Sequence, residues 1–233
     1  DTVSQKCIDP SKCPCYHGGR SYKEQDVVKI ECNSCTCESG NWICTNKQCP
    51  GICSVWGNSH FDTFDDKTYN YHGQCDYVLS KGETAEGSFE VDIQNEQCGS
   101  LGESCTKSIT ISASIADDKE SVRLTVGKTL HNYSTYKYIL QRTASQYVIF
   151  EIPKLEVTVT WDRQTRVNVK LGTQWNDKVE GLCGNYNGNS TDDFKNEDSV
   201  EKFGDLWRLQ PQCSETETIA DSCENRPIRK LWG

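Results

Sequence analysis

The chain has 233 residues, a formal net charge of −9 at pH 7 and a 35% hydrophobic share, with a mean hydropathy of −0.70. Its 25 Lys and Arg against 34 Asp and Glu do not supply the clustered cations that nucleic acids and anionic membranes require. No apolar run reaches the length of a membrane-spanning helix, so no nucleic-acid partner and no membrane span are expected.

Nine of the fifteen cysteines fall early in the chain, at Cys7, Cys13, Cys15, Cys32, Cys35, Cys37, Cys44, Cys49 and Cys53. So many cysteines imply an oxidising compartment, and a secreted, extracellular location is expected. The odd total requires at least one thiol to pair elsewhere or stay free. The chain starts at Asp1 without an initiator Met or an apolar signal segment, and is read as a piece of a longer secreted protein. A segment as small as residues 7–53 cannot build a hydrophobic core, so bridges must replace one. Within it, "VVKI" (Val27 to Ile30) and "NWIC" (Asn41 to Cys44) read as short strands around turns such as "ESGN". Cys32, Cys35, Cys37 and Cys44 have near-zinc-ligand spacing, but the many neighbouring cysteines and the single nearby histidine, His17, favour a bridge framework. "CNSC" is formally a redox pair, yet no helix follows to lower a thiol pKa.

From Cys53 to Cys213 the texture changes. "SVWGNSHFDTFDD" gathers Ser54, Ser59, His60, Asp62 and Asp65 without a nucleophile elbow, and reads as a first strand with an aromatic and acidic end. Period-2 alternation follows in "FEVDI" (Phe89, Val91, Ile93), "SITISASIA" (Ile109, Ile111, Ala113, Ile115) and "VRLTV" (Val122, Leu124, Val126). It continues in "YVIFEI", "LEVTVTW" (Leu155, Val157, Val159, Trp161) and "RVNVKL" (Val167, Val169, Leu171). Many antiparallel strands with one wet face predict an all-β fold, an antiparallel β-sandwich preceded by the small disulfide-rich β module. One short helix is predicted near the C-terminus in "SVEKFGDLWRL", burying Val200, Phe203 and Leu206 or Trp207.

"GLCGNYNGNSTDDF", Gly181 to Phe194, is the candidate site. Asn185, Asn187 and Asn189 alternate, Gly188 permits a bend, and Asp192 and Asp193 follow. Calcium takes about six to eight oxygens from carboxylates, amides and carbonyls on a loop that curls around it. Composition alone leaves the run balanced between such a site and a polar turn. Asn132 and Asn189 head glycosylation sequons. A glycan on Asn189 would leave only its backbone carbonyl for an ion.

"CSVWGNSHFDTFDDKTYNYHGQCDYVL", then "GLCGNYNGNSTDDF" and "FGDLWRL", resemble the von Willebrand factor type D domain. "CPCYHGGRSYKEQDVVKIECNSCTCESGNWICTNKQC" resembles the small E module that precedes such domains in von Willebrand factor, gel-forming mucins and insect hemolectin or hemocytin. "CIDPSKC" resembles the end of a trypsin-inhibitor-like module. The implied organisation is that end at 1–14, an E module at 15–52, a type D domain at 53–213 and a linker toward a cysteine-rich module at 214–233. The resemblance implies calcium held by Asp65, Asn185, Asn187, the Asn189 carbonyl, Asp192 and Asp193, with Asp62 a neighbour outside the set. It implies the bonds Cys15–Cys37, Cys32–Cys49, Cys35–Cys44, Cys53–Cys183, Cys75–Cys213 and Cys98–Cys105. Cys7 and Cys13 are left to pair upstream or with each other, and Cys223 to pair into the cysteine-rich module. Two departures stand out. Glu180 replaces the first cysteine of the family's Cys-Gly-Leu-Cys, and "KGETAEGSF" lacks that cysteine's partner; Asn58 and Ser59 replace the Asp-Pro at which some relatives cleave themselves. The implied function is a non-enzymatic, calcium-binding structural and assembly module of a large secreted multimeric glycoprotein, mucin-like or clotting and adhesive. Its implied partners are other modules of the same chain and further copies of it. The alternative is a thiol-disulfide exchange catalyst acting during multimer assembly.

Overall fold

In a computed structural model, residues 13–98, 103–128 and 136–210 are described, and the chain divides into two compact units, Asp1–Pro50 and Gly51–Gly233.

The first unit contains the hairpin β1 (Cys15–His17) and β2 (Arg20–Tyr22), and a three-stranded antiparallel sheet of β3 (Val27–Ile30), β4 (Asn33–Glu38) and β5 (Asn41–Cys44). The turn joining β4 to β5 is two residues long, with Ser39 and Gly40 both at positive φ, the twist that suits a tight hairpin. Cys15, Cys35 and Cys37 are fully buried, and Val28 is the one aliphatic residue beside them in the unit's described core. The bonds Cys15–Cys37, Cys32–Cys49 and Cys35–Cys44 thus stand where a larger domain would place aliphatic side chains. Cys13 carries no bond, and Cys7 lies outside the described residues.

In the second unit, β6 (Gly51–Trp56), β7 (His60–Asp62) and β8 (Thr68–Asn70) lead into β9 (Asp76–Thr84), β10 (Gly87–Gln97), β11 (Ser104–Ile115) and β12 (Asp118–Thr125). The chain continues through β13 (Leu140–Ala144), β14 (Tyr147–Ile152), β15 (Val157–Trp161), β16 (Val167–Leu171) and β17 (Val179–Glu180) to α1 (Val200–Asp205). The strands form a five-stranded sheet, β12-β11-β10-β9-β17, and a seven-stranded sheet, β13-β14-β15-β16-β6-β7-β8. The alternating apolar residues of β10, β11, β14, β15 and β16 are buried in one cluster contributed by both sheets. The fold is all-β, as the period-2 patterning predicts.

Three details differ from the pattern. Leu155 is buried but belongs to a 3-10 turn, Pro153–Leu155, closed by Glu156 at φ 50, so the strand begins at Val157; Pro153 fixes its own φ and offers no N–H to a ladder. Val126 packs against the core beyond the end of β12. The predicted helix stops at Asp205; just past it Trp207 is buried, while the C-cap residue Leu206 stays 52% exposed. Ser199 caps α1 by accepting from the Lys202 N–H at 3.2 Å. Gly204 is required by contact, since a Cβ there would lie 2.2 Å from the Tyr71 ring. The Tyr71 hydroxyl donates to Asp205 at 3.0 Å, and the Val78 N–H donates to the Trp207 carbonyl at 2.9 Å. "FGDLWRL" is therefore the segment that fastens the helix to β9.

Asp92 lies opposite Val78 with one carboxylate oxygen buried and without a partner. Burial, then the neighbouring Glu90 and Asp76, push its pKa up to about 7, against the opposing charges of Lys81 and Arg123. A carboxyl raised in the folded state favours folding while protonated, and that contribution is lost as pH rises from about 4 through about 7. Asp92→Asn is expected to stabilise the domain at pH 8 by on the order of 1–3 kcal/mol and to leave it unchanged at pH 4, read from urea unfolding at both pH values.

Candidate functional site

Two segments more than 120 residues apart in the chain meet through hydrogen bonds. The first is the turn of residues 63–67 between β7 and β8; the second is the run after β17. Leu182 and Cys183 extend the pairing of β17 with β9 through N–H bonds to the Val78 and Leu79 carbonyls, at 3.1 and 2.9 Å. Cys183 is fully buried and bonded to Cys53 on β6, and its carbonyl accepts from the Phe64 N–H at 3.0 Å. The Tyr69 hydroxyl donates to the Leu182 carbonyl, and the Tyr69 ring stacks on Phe61 at 5.0 Å and meets Phe194 edge-on at 5.1 Å. Gly184 has φ 78, and a Cβ there would lie 2.0 Å from Asp193 Oδ1, so no other residue fits.

On this frame hydrogen bonds join the predicted residues. Asp65 accepts from the Asn187 N–H at 3.0 Å and the Gly188 N–H at 2.8 Å, one to each oxygen. Asp192 accepts side-chain amide N–H groups from Asn185 at 2.9 Å, Asn187 at 3.0 and 3.2 Å, and Asn189 at 3.0 Å. Those donors, Asn185 first and then Asn187, hold its carboxyl below the usual range. Asp193, only 2% exposed, accepts from the Asn185 N–H at 3.2 Å and the Thr63 hydroxyl at 2.7 Å, while burial raises its pKa. Asn185 Oδ1 is buried without a hydrogen-bond partner. Asn189 is exposed; its Oδ1 accepts from the Thr191 hydroxyl at 2.7 Å and N–H at 3.2 Å. Asp62 turns to the Thr68 hydroxyl instead, at 2.7 Å. Among the described residues no group of three or more His, Cys, Asp or Glu side chains is gathered to hold a metal. An ion here would draw on amide and carbonyl oxygens as well as carboxylates.

Sequence reasoning passed over Thr63, whose hydroxyl links the turn to Asp193 while accepting from the Asp65 and Lys67 N–H groups at 3.3 and 3.0 Å. Its place two residues before Asp65, on the opposite alternation from Asp62, was the available signal. The nearby Ser59 and His60 are not joined as nucleophile and base: the Ser59 hydroxyl is buried against Ser104, and His60 pairs with Asn70.

Cys98–Cys105 is also bonded, so five of the six implied pairings are present among the described residues. Cys75 is disulfide-bonded too, while Cys213, Cys223 and the sequon at Asn132 lie outside the described residues. Glu180 stands opposite Lys81 on β9 and makes ion pairs with Lys81 at 3.4 Å and Lys195 at 2.6 Å. The position before the Gly-Leu-Cys run thus carries an electrostatic tie.

Residues 53–200 match the von Willebrand factor type D domain. The chain belongs to this family. Upstream of the type D domain, residues 20–47 match a von Willebrand factor-like domain. The chain is similar to hemocytin of Bombyx mori, with 42% identity covering 100% of this chain and 8% of the relative. It is similar to human Mucin-2, at 33% over 97% of this chain and 4% of the relative, and to Mucin-6 of Gallus gallus, at 30% over 100% and 20%. The chain therefore spans a small part of each of these relatives.

Closing a loop of 130 residues limits the unfolded chain by about 5 kcal/mol in the chain-entropy account. Replacing Cys53 and Cys183 together by Ala is expected to cost about 3–5 kcal/mol in urea unfolding, and to open amide exchange at Asn187 and Gly188 before the strands of the core.

Proposed function

We propose that the type D domain is a calcium-binding structural and assembly module of a large secreted multimeric glycoprotein, with no catalytic role. The observation that carries this reading is the meeting of Asp65 with the 185–193 loop, because a local turn has no use for a carboxylate brought from the other end of the domain. Asp65, Asp192 and Asp193 would supply the charge, Asn185 and Asn187 amide oxygens, and Asn189 its backbone carbonyl. The donor set suits a hard cation that takes about six to eight oxygens. Asn185 Oδ1, buried without a partner, is the group such an ion would satisfy. When bound, the ion would offset repulsion among the carboxylates and tie the 63–67 turn to the late loop.

Residues 15–52 are taken as an E module and 1–14 as the end of an inhibitor-like module, with 214–233 leading to a further module. The partners are other modules of the same secreted chain and further copies of it. Asn189, exposed and followed by Thr191, is taken as a glycosylation site, as is Asn132. Thiol-disulfide exchange is disfavoured, since Cys183 is bonded, buried and preceded in the Gly-Leu-Cys run by Glu180 rather than a second cysteine.

Calcium at roughly a hundred times its Kd adds about 2.7 kcal/mol. Scanning calorimetry should therefore show melting about 5–10 °C higher than in chelator. The shift should vanish in Asp65→Ala. An unshifted wild type would remove the calcium claim.

A further inference from the structure

Lys67 closes the turn that carries Asp65, and its ammonium is held over the loop. Its Nζ donates to the Ser190 carbonyl at 3.2 Å and lies 3.9 Å from the centroid of the Phe194 ring. That ring is itself fixed, stacked on Phe203 at 4.6 Å and edge-on to Tyr69 at 5.1 Å. Both partners of the ammonium are neutral, and among the described residues no ion pair cancels its charge. Lys195, another cation on the same loop, is committed to Glu180 at 2.6 Å and to the Trp207 face at 4.4 Å. The two partners of Lys67, Ser190 and Phe194, flank Asp192 and Asp193 in the chain, and Asp65 lies two residues before Lys67; the hydrogen bonds these three carboxylates accept come from neutral N–H and O–H groups. The Lys67 charge acts on Asp193, opposing the effect of burial on that carboxyl.

We propose that Lys67 is a tethered cation that partly neutralises the Asp65–Asp193 loop when no metal is present and lowers its affinity for calcium. The proposal rests on the calcium reading above. A fixed positive charge favours the metal-free loop by easing repulsion among three carboxylates, and opposes an incoming cation in proportion to that cation's charge. The cation–π and carbonyl contacts hold the ammonium in place at little desolvation cost. Lys67 is thus a positioning and affinity-setting residue, not a ligand.

The test compares wild type with Lys67→Met, which keeps the apolar stem against Phe194, and with Lys67→Arg, which keeps the charge. Calcium is titrated by calorimetry, and trivalent terbium, similar in size, by its luminescence. Lys67→Met is expected to bind calcium about tenfold more tightly and terbium by a larger factor, while melting at a lower temperature in chelator. Lys67→Arg should stay within about twofold of wild type for both ions. Weaker binding by Lys67→Met, or an equal factor for the divalent and trivalent ions, would show that Lys67 only props the loop and would overturn the proposal. The wild-type titration tests the underlying reading separately: if neither ion binds wild type, the calcium site falls and this inference with it.

Discussion

The bond between Cys53 and Cys183 joins the first strand of the second unit to the start of the late loop, across 130 residues. Once Cys183 is fixed, its carbonyl takes the Phe64 N–H and its amide takes the Leu79 carbonyl. Both sheets therefore touch the same residue. The loop leaves this anchor through Gly184, where any Cβ would meet Asp193, and Thr63 and Asp65 receive it from the other side. The meeting of the two segments is held by that covalent constraint as well as by hydrogen bonds, because short polar segments of this kind do not bury enough apolar area to order themselves.

The two units solve the problem of stability differently. In the second, alternation along the long strands gives a continuous apolar layer between two sheets, and burial of side chains such as Phe150, Trp161 and Ile111 supplies the driving force. In the first, three strands of four to six residues offer too little area, and three cross-links take over. The same half-cystines that suggest zinc or redox chemistry by spacing are spent on structural bonds, with Cys35 directly opposite Cys44 on the neighbouring strand.

Electrostatics organises the margin of the site. Glu180, immediately before the Gly-Leu-Cys run, links β17, β9 and the loop through two lysines. Exposed pairs of this kind contribute little individually, but here they converge on one carboxylate whose pKa the Lys195 contact lowers. Among the described residues Lys67 is tied to neutral groups, which makes its charge available to the loop.

Alternation made the strands β10, β11, β14, β15 and β16 legible, because each has one face toward a shared core. It failed for β9, where Tyr77, Val78, Leu79 and Ser80 are all buried. There a register shift opposite Val91 and Asp92, and the Trp207 segment bonded to Val78, cover both faces. It also failed for β13, an edge strand with mostly exposed residues. The oxygen-rich residues of the loop, the cysteine content and the all-β class were determined by the sequence itself, since composition and period are local properties. Which carboxylate accepts from which distant group, that Thr63 joins Asp193 while Asp62 turns away, and that Lys67 reaches the loop were decided only by tertiary structure. The contacts of Thr63, Asp65 and Lys67 with the loop span more than a hundred residues, and no local pattern encodes the direction from which a distant side chain arrives.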